Sequence, residues 1–99
     1  MATFHARPED LEHAAEVLKT LAHPVRLCLV LGLSRCGGCA VHEIQGCLDR
    51  PQAVISQHLA KLRAAGLVTA CRVGKEVRYE VTSPLARELA ALVERFSSP

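Results

Sequence analysis

Two cysteines and a histidine recur every third residue in Cys36-Gly37-Gly38-Cys39-Ala40-Val41-His42. Two thiolates at this spacing, with an imidazole beside them, form a donor set for a soft ion: Zn(II), Cd(II), Pb(II), Cu(I) or arsenite. The same thiols can instead be oxidised to a disulfide, or react with a persulfide. A single Cys-x-x-Cys lacks the second pair that makes a zinc site secure, so the metal reading needs further donors, and His5, His13 and Cys71 are the candidates. A helix beginning near Ala40 would put its positive end close to the thiols and favour their ionised form. Cys71, in a stretch that reads as a strand, is the distant partner in the redox alternative of Cys36, Cys39 and Cys71. Cys28 and Cys47 sit among apolar neighbours and read as buried, inert thiols.

A second constellation runs from Arg50 to Val81. Ile55, Leu59 and Leu62 follow the i, i+4, i+7 rule, so they form the buried face of an amphipathic helix. The opposite face carries Gln52, Ala53, Ser56, Gln57, Ala60, Arg63 and Ala64. Small and polar, it suits close approach to a major groove, where glutamine pairs with adenine and alanine leaves room for a thymine methyl. His58 falls on the core side and reads as a packed, hydrogen-bonded histidine. Between Arg50 and Arg78 six basic residues face one acid, Glu76, for a local charge of +5, while the rest of the chain carries −3. A basic face on an otherwise acidic chain is the footprint of phosphate contact.

These residues must be positioned by a small fold. At 99 residues the chain makes one domain, whose core would gain from a second copy. Hydrophobic residues make up 49% but aromatics only 3%, so the core is aliphatic, as in packed helices. No apolar run approaches the length of about 18 residues that spans a bilayer. That excludes a membrane partner and points to the cytoplasm, whose reducing conditions favour thiols or metal ligands over disulfides for five cysteines.

The periodicity predicts a first helix from Pro8 to Ala22, with Leu11, Ala14, Leu18 and Leu21 on one stripe and Glu9, Asp10 and Glu12 near its positive end. A second helix, Val25–Ser34, is apolar nearly all round and should be central. A third spans Ala40–Leu48, with Val41, Ile44 and Leu48 inward. Pro51 opens the fourth, in its first turn, and Gly66 closes it. The period then falls from about 3.6 to 2, giving strands Val68–Val73 and Val77–Val81 around a Gly74-Lys75 tip. A C-terminal helix from Pro84 carries Leu85, Leu89, Leu92 and Phe96 on one stripe. Mainly α, with four helices, a two-stranded wing and a C-terminal helix, this is the winged helix-turn-helix order over residues 1–99.

From Leu18 to Val81 the chain resembles the ArsR/SmtB family of small dimeric winged-helix repressors. The resemblance is carried by Leu21, Ala22, Pro24, Arg26 and Leu27, by Gln52 with Ile55-Ser56-Gln57-His58-Leu59, Leu62-Arg63 and Ala65-Gly66-Leu67-Val68, and by Gly74-Lys75 with Val77 and Tyr79. It implies a homodimer held by the helices at about 8–22 and 84–96, bound to an inverted-repeat operator of double-stranded DNA and released by an inducer. On the matching positions, Gln52, Ser56 and Gln57 would read bases, and Lys61, Arg63, Arg72, Lys75 and Arg78 would hold phosphates. Arg50-Pro51 stands where the family often has Leu-Ser, so a serine cap is replaced by an extra cation. Ala40-Val41-His42 replaces the Cys-Val-Cys of many metal sensors, and no histidine follows Thr82 to build the family's other metal site.

Three readings stay open at this point: release by a soft metal or metalloid on Cys36, Cys39 and His42; a thiol redox or persulfide switch; and a winged-helix module that binds DNA or protein without sensing anything. An enzyme is not expected, because Cys-x-x-Cys lacks the βαβ setting of a thiol oxidoreductase and no nucleophile, base and orienting group stand at informative spacing.

Overall fold

A computed structural model describes residues 3, 5–44 and 49–97. The elements run α1 (Pro8–Leu21), α2 (Pro24–Cys36), a single 3-10 turn (Val41–Glu43), α3 (Gln52–Ala64), β1 (Val68–Val73), β2 (Glu76–Val81) and α4 (Pro84–Ser97). This is the winged helix-turn-helix order expected, with the strands pairing antiparallel from Val68 opposite Val81 to Val73 opposite Glu76. Among the described residues no single helix is long and apolar enough to cross a membrane.

The core gathers on α2, where Val25, Leu29, Val30 and Leu33 are buried and Leu27 and Leu31 pack partly against them. α2 is therefore touched by α1, α3, α4 and β2. His23 caps its start by accepting the Val25 amide N–H on Nδ1 at 3.2 Å, and Pro24 fills a first-turn position that needs no N–H. At its far end Gly37 adopts a left-handed φ of 63° and returns its amide to the Leu33 carbonyl, a stop that a residue with a Cβ would resist. α3 buries Ile55, Leu59 and Leu62 as its spacing predicts. It ends at Ala64 with Ala65 as its C-cap, and Gly66 follows with a φ of 76°. Pro51 is the residue before the first helical turn rather than part of it.

The helical elements depart further from expectation in three places. The predicted helix Ala40–Leu48 is, where described, only the 3-10 turn; Ile44 is buried and Val41 half-buried, while Leu48 lies outside the described residues. On α1 the inward residues are Val17 and Leu21, and the predicted stripe members Leu11 and Leu18 stay 52% and 53% exposed. On α4 the alanines Ala86 and Ala90 face the core, leaving Leu92 at 53% and Phe96 at 87% exposure, with Leu85 and Leu89 half-buried between. Small residues win the inner face because they let α4 lie close to α2, to which an ion pair from Arg35 to Glu94 also ties it.

Candidate functional site

On α3 the burial of Ile55, Leu59 and Leu62 turns Gln52, Ala53, Ser56, Gln57, Ala60, Lys61, Arg63 and Ala64 to the exterior. No side chain caps the first turn, and while the Val54 and Ile55 amides donate to the Pro51 carbonyl, those of Gln52 and Ala53 face the helix start, where an anion is favoured. Arg50 is exposed and donates from Nη1 to the carbonyl of Asp49. Arg50, Gln52 and Ser56 line one open cleft with His42 and with Lys75 and Glu76 of the wing. Gln57, Lys61, Arg63 and Arg72 are exposed but lie outside that cleft.

Arg78 differs from the other expected phosphate contacts. Its guanidinium reaches Glu43 at 3.5 Å and Glu76 at 3.8 Å and donates to the Gly38 carbonyl at 3.4 Å. It is thus half-buried and bound to the segment that carries the cysteines. That segment lies along the wing: the Cys39 amide donates to the Tyr79 carbonyl at 3.1 Å, and the Tyr79 amide donates to the Cys39 carbonyl at 2.8 Å. Glu43 accepts the Ala40 N–H at 2.9 Å, and His42 Nε2 meets Glu76 Oε1 at 3.0 Å.

Cys36 and Cys39 are joined by a disulfide, contrary to the expectation of thiols in a reducing compartment. The Gly37-Gly38 turn, with φ of 63° and 103°, brings the sulfurs together. Cys36 is the last residue of α2 and exposed, whereas Cys39 is 1% exposed. Cys36 thus sits at the negative end of a helix dipole, so the dipole assistance expected from a helix beginning at Ala40 is missing. Cys71 is free and exposed on β1. Cys28 is half-buried and disulfide-bonded rather than an inert thiol, and Cys47 lies outside the described residues.

A soft metal fits this arrangement poorly. The two sulfurs are bonded to each other, and His42 turns to Glu76 rather than to them. Among the described residues the cluster of three ligating groups is His42, Glu43 and Glu76, all nitrogen and oxygen donors, with His5, His13 and Cys71 not part of it.

A helix-turn-helix domain family matches residues 21–70. The repressor SmtB of Mycobacterium tuberculosis is 48% identical over 81 residues, 80% of this chain. The chain belongs to the ArsR/SmtB family of winged-helix repressors. It spans 59% of the length of that SmtB. The crystal structure of the repressor PagR of Bacillus anthracis superimposes with a TM-score of 0.74 at 36% identity, covering 88% of this chain and 99% of that one. Reduced HlyU from Vibrio cholerae does so at 0.81 and 28% identity, covering 92% and 95%.

Sequence reasoning missed the acids in this family member's site. Glu76 is the one acid in the basic stretch, which was the available signal; nothing local marks Glu43 as its neighbour. It also missed the companions of His58. Arg26 Nε donates to His58 Nδ1 at 3.1 Å, and the His23 ring stands 4.3 Å away, so α3 is pinned from behind to the start of α2. Desolvation, then the nearby His23, Arg26 and Lys61, lowers the His58 pKa from the ordinary 6.5. Protonation would also remove the lone pair that Arg26 uses. Since the folded state then binds fewer protons than the unfolded chain, the His58 contribution to stability is present above pH 6.5 and is lost as pH falls below it. Denaturant midpoints measured from pH about 7.5 to about 5.5 should fall in the wild type and fall less in His58→Gln, whose amide oxygen can still accept from Arg26.

Proposed function

We propose that this protein is a DNA-binding transcriptional repressor that acts as a homodimer on an inverted-repeat operator in the cytoplasm, and that oxidation of Cys36 and Cys39 releases it. The observation that carries the switch is the disulfide between an exposed Cys36 and a buried Cys39 whose backbone is bonded to the wing. The exposed thiol is the one an oxidant reaches. With a hydroperoxide, the Cys36 sulfur attacks an oxygen, an alcohol leaves, and the Cys39 thiol displaces water from the sulfenic acid: two thiols and one peroxide become a disulfide, an alcohol and water. A persulfide serves equally, leaving as a thiol and hydrogen sulfide. This reading is preferred to metal release because the third donor, His42, is engaged with Glu76.

DNA binding is supported by the exposed polar stripe of α3, the uncapped first turn and the cations Arg50 and Lys75 beside it. Gln52, Ser56 and Gln57 are assigned to base edges, and Lys61, Arg63, Arg72 and Lys75 to phosphates, with Arg78 directed to the cysteine segment instead. Dimerisation is supported by Leu11 and Leu18 on α1 and Leu92, Val93 and Phe96 on α4, apolar side chains left exposed on helices that contact each other.

Operator binding measured on the reduced chain, then after a peroxide or persulfide donor, should show release that a reductant reverses and that Cys36→Ser and Cys39→Ser abolish. Release of reduced protein by Zn(II), Cd(II) or arsenite, lost in the same variants, would favour the metal reading instead. Indifference to every agent would leave a repressor without a cysteine switch. For the DNA face, Gln57→Ala should lose about 1–3 kcal/mol of discrimination between operator and mismatched site, whereas Lys75→Ala should weaken all sequences alike and reduce the salt slope by about one. For the dimer, Leu92→Ser with Phe96→Ser should shift sedimentation to a monomer and lower operator affinity by about a hundredfold.

A further inference from the structure

We infer that the state of the Cys36–Cys39 pair reaches the DNA-binding surface through the wing, with Arg78 and the Tyr79 backbone as positioning elements, and not through displacement of α3. This rests on the thiol switch proposed above and concerns only its route. Cys39 and Tyr79 exchange two backbone hydrogen bonds, 3.1 and 2.8 Å, an isolated antiparallel bridge that fastens the cysteine segment to the free edge of β2. Side chains repeat the connection on both sides of that bridge: Arg78 to the Gly38 carbonyl and to Glu43, and His42 to Glu76. Among the described residues, apart from the local bond from the Ile44 amide to the Val41 carbonyl, the hydrogen bonds and ion pairs that leave residues 38–43 go to β2 and none goes to α3.

The disulfide completes a covalent path. Cys36 belongs to α2, the most buried helix, and its sulfur is bonded to that of Cys39, which is bonded through its backbone to β2. Oxidised, the wing edge is therefore tied to the core. Reduced, the only chain between Cys36 and Cys39 is Gly37-Gly38, the two residues least able to hold a fixed backbone, so the Cys39 bridge opens more often. The wing carries Lys75 at its tip and Arg72 on β1, both exposed, so its stance sets where these cations meet phosphate. α3, by contrast, meets the cysteine segment through apolar packing, in the core that Ile55, Leu59 and Leu62 share with Cys39 and Ile44, and is held separately by the His58–Arg26 bond.

Amide hydrogen exchange on the 15N-labelled full chain tests the route. Reduction should speed exchange at Tyr79 by about tenfold, with no such change on reducing the Cys36→Ser, Cys39→Ser double variant, in which Cys28 is untouched, while the amides of Leu59 and Leu62 stay unchanged. Glu43→Gln keeps an acceptor for the Ala40 N–H but removes the charge that draws Arg78 to the cysteine segment, leaving Glu76 on its own strand, so it should shrink the ratio of reduced to oxidised operator affinity several-fold while the reduced protein still binds. If affinity depends on the cysteine state but Tyr79 exchanges alike in both states, or Glu43→Gln leaves the ratio intact, the wing route is wrong and the switch survives. If wild-type affinity is the same in both states, the switch itself is wrong, whatever Tyr79 does.

Discussion

Burial of α2 is the constraint on which the rest of this structure depends. A chain with few aromatics has no large flat side chains to close a core, so it closes one around a helix whose Leu29, Val30 and Leu33 are fully enclosed. Each such side chain contributes about 1.5–3 kcal/mol when removed from water. To enclose them, α1, α3, α4 and β2 must all meet α2. α3 is thereby oriented with its apolar stripe inward, and the polar stripe that remains is exposed as a consequence rather than by separate design. The hairpin, too weak to stand alone, gains its support from the same contact.

The same helix also ends at the cysteine pair. Its last residue is Cys36, and the glycine turn that stops it delivers Cys39 to the edge of the wing. The helix with the most enclosed side chains and the cysteine pair are therefore adjacent. Electrostatics follow the same economy: Glu43 and Glu76 draw Arg78 away from solvent and onto the cysteine segment, leaving Arg50, Arg72 and Lys75 exposed on the outward surface.

The sequence made much of this legible. Spacing of Ile55, Leu59 and Leu62 placed the buried and exposed faces of α3 correctly, and the change of period after Gly66 located both strands within a residue. These are local signals, since a helix or strand imposes its repeat on whichever residues must be buried. The stripe on α4 misled for the opposite reason. Leucines mark an apolar face, but the face that meets the core centres on Ala86 and Ala90, with Leu85 and Leu89 packed at its border and Leu92 and Phe96 outside it. Over its described part, residues 40–44, the predicted third helix gave way to a 3-10 turn beside Cys39, whose pairing with Tyr79 is a long-range bond that no local pattern records.

By itself the sequence determined the element order, the inward and outward faces of α3, the basic character of the Arg50–Arg78 stretch and the presence of a closely spaced Cys36–Cys39 pair, because each is written in residues close together along the chain. Only the tertiary structure decided what those features touch. It bound the cysteine segment to the wing, assigned Arg78 to Glu43 and Glu76, set His58 between Arg26 and His23, and left Leu92 and Phe96 uncovered. Each of these joins residues far apart in sequence or depends on how closely two helices pack, and such distances are set by the shape of the enclosed core rather than by any local repeat.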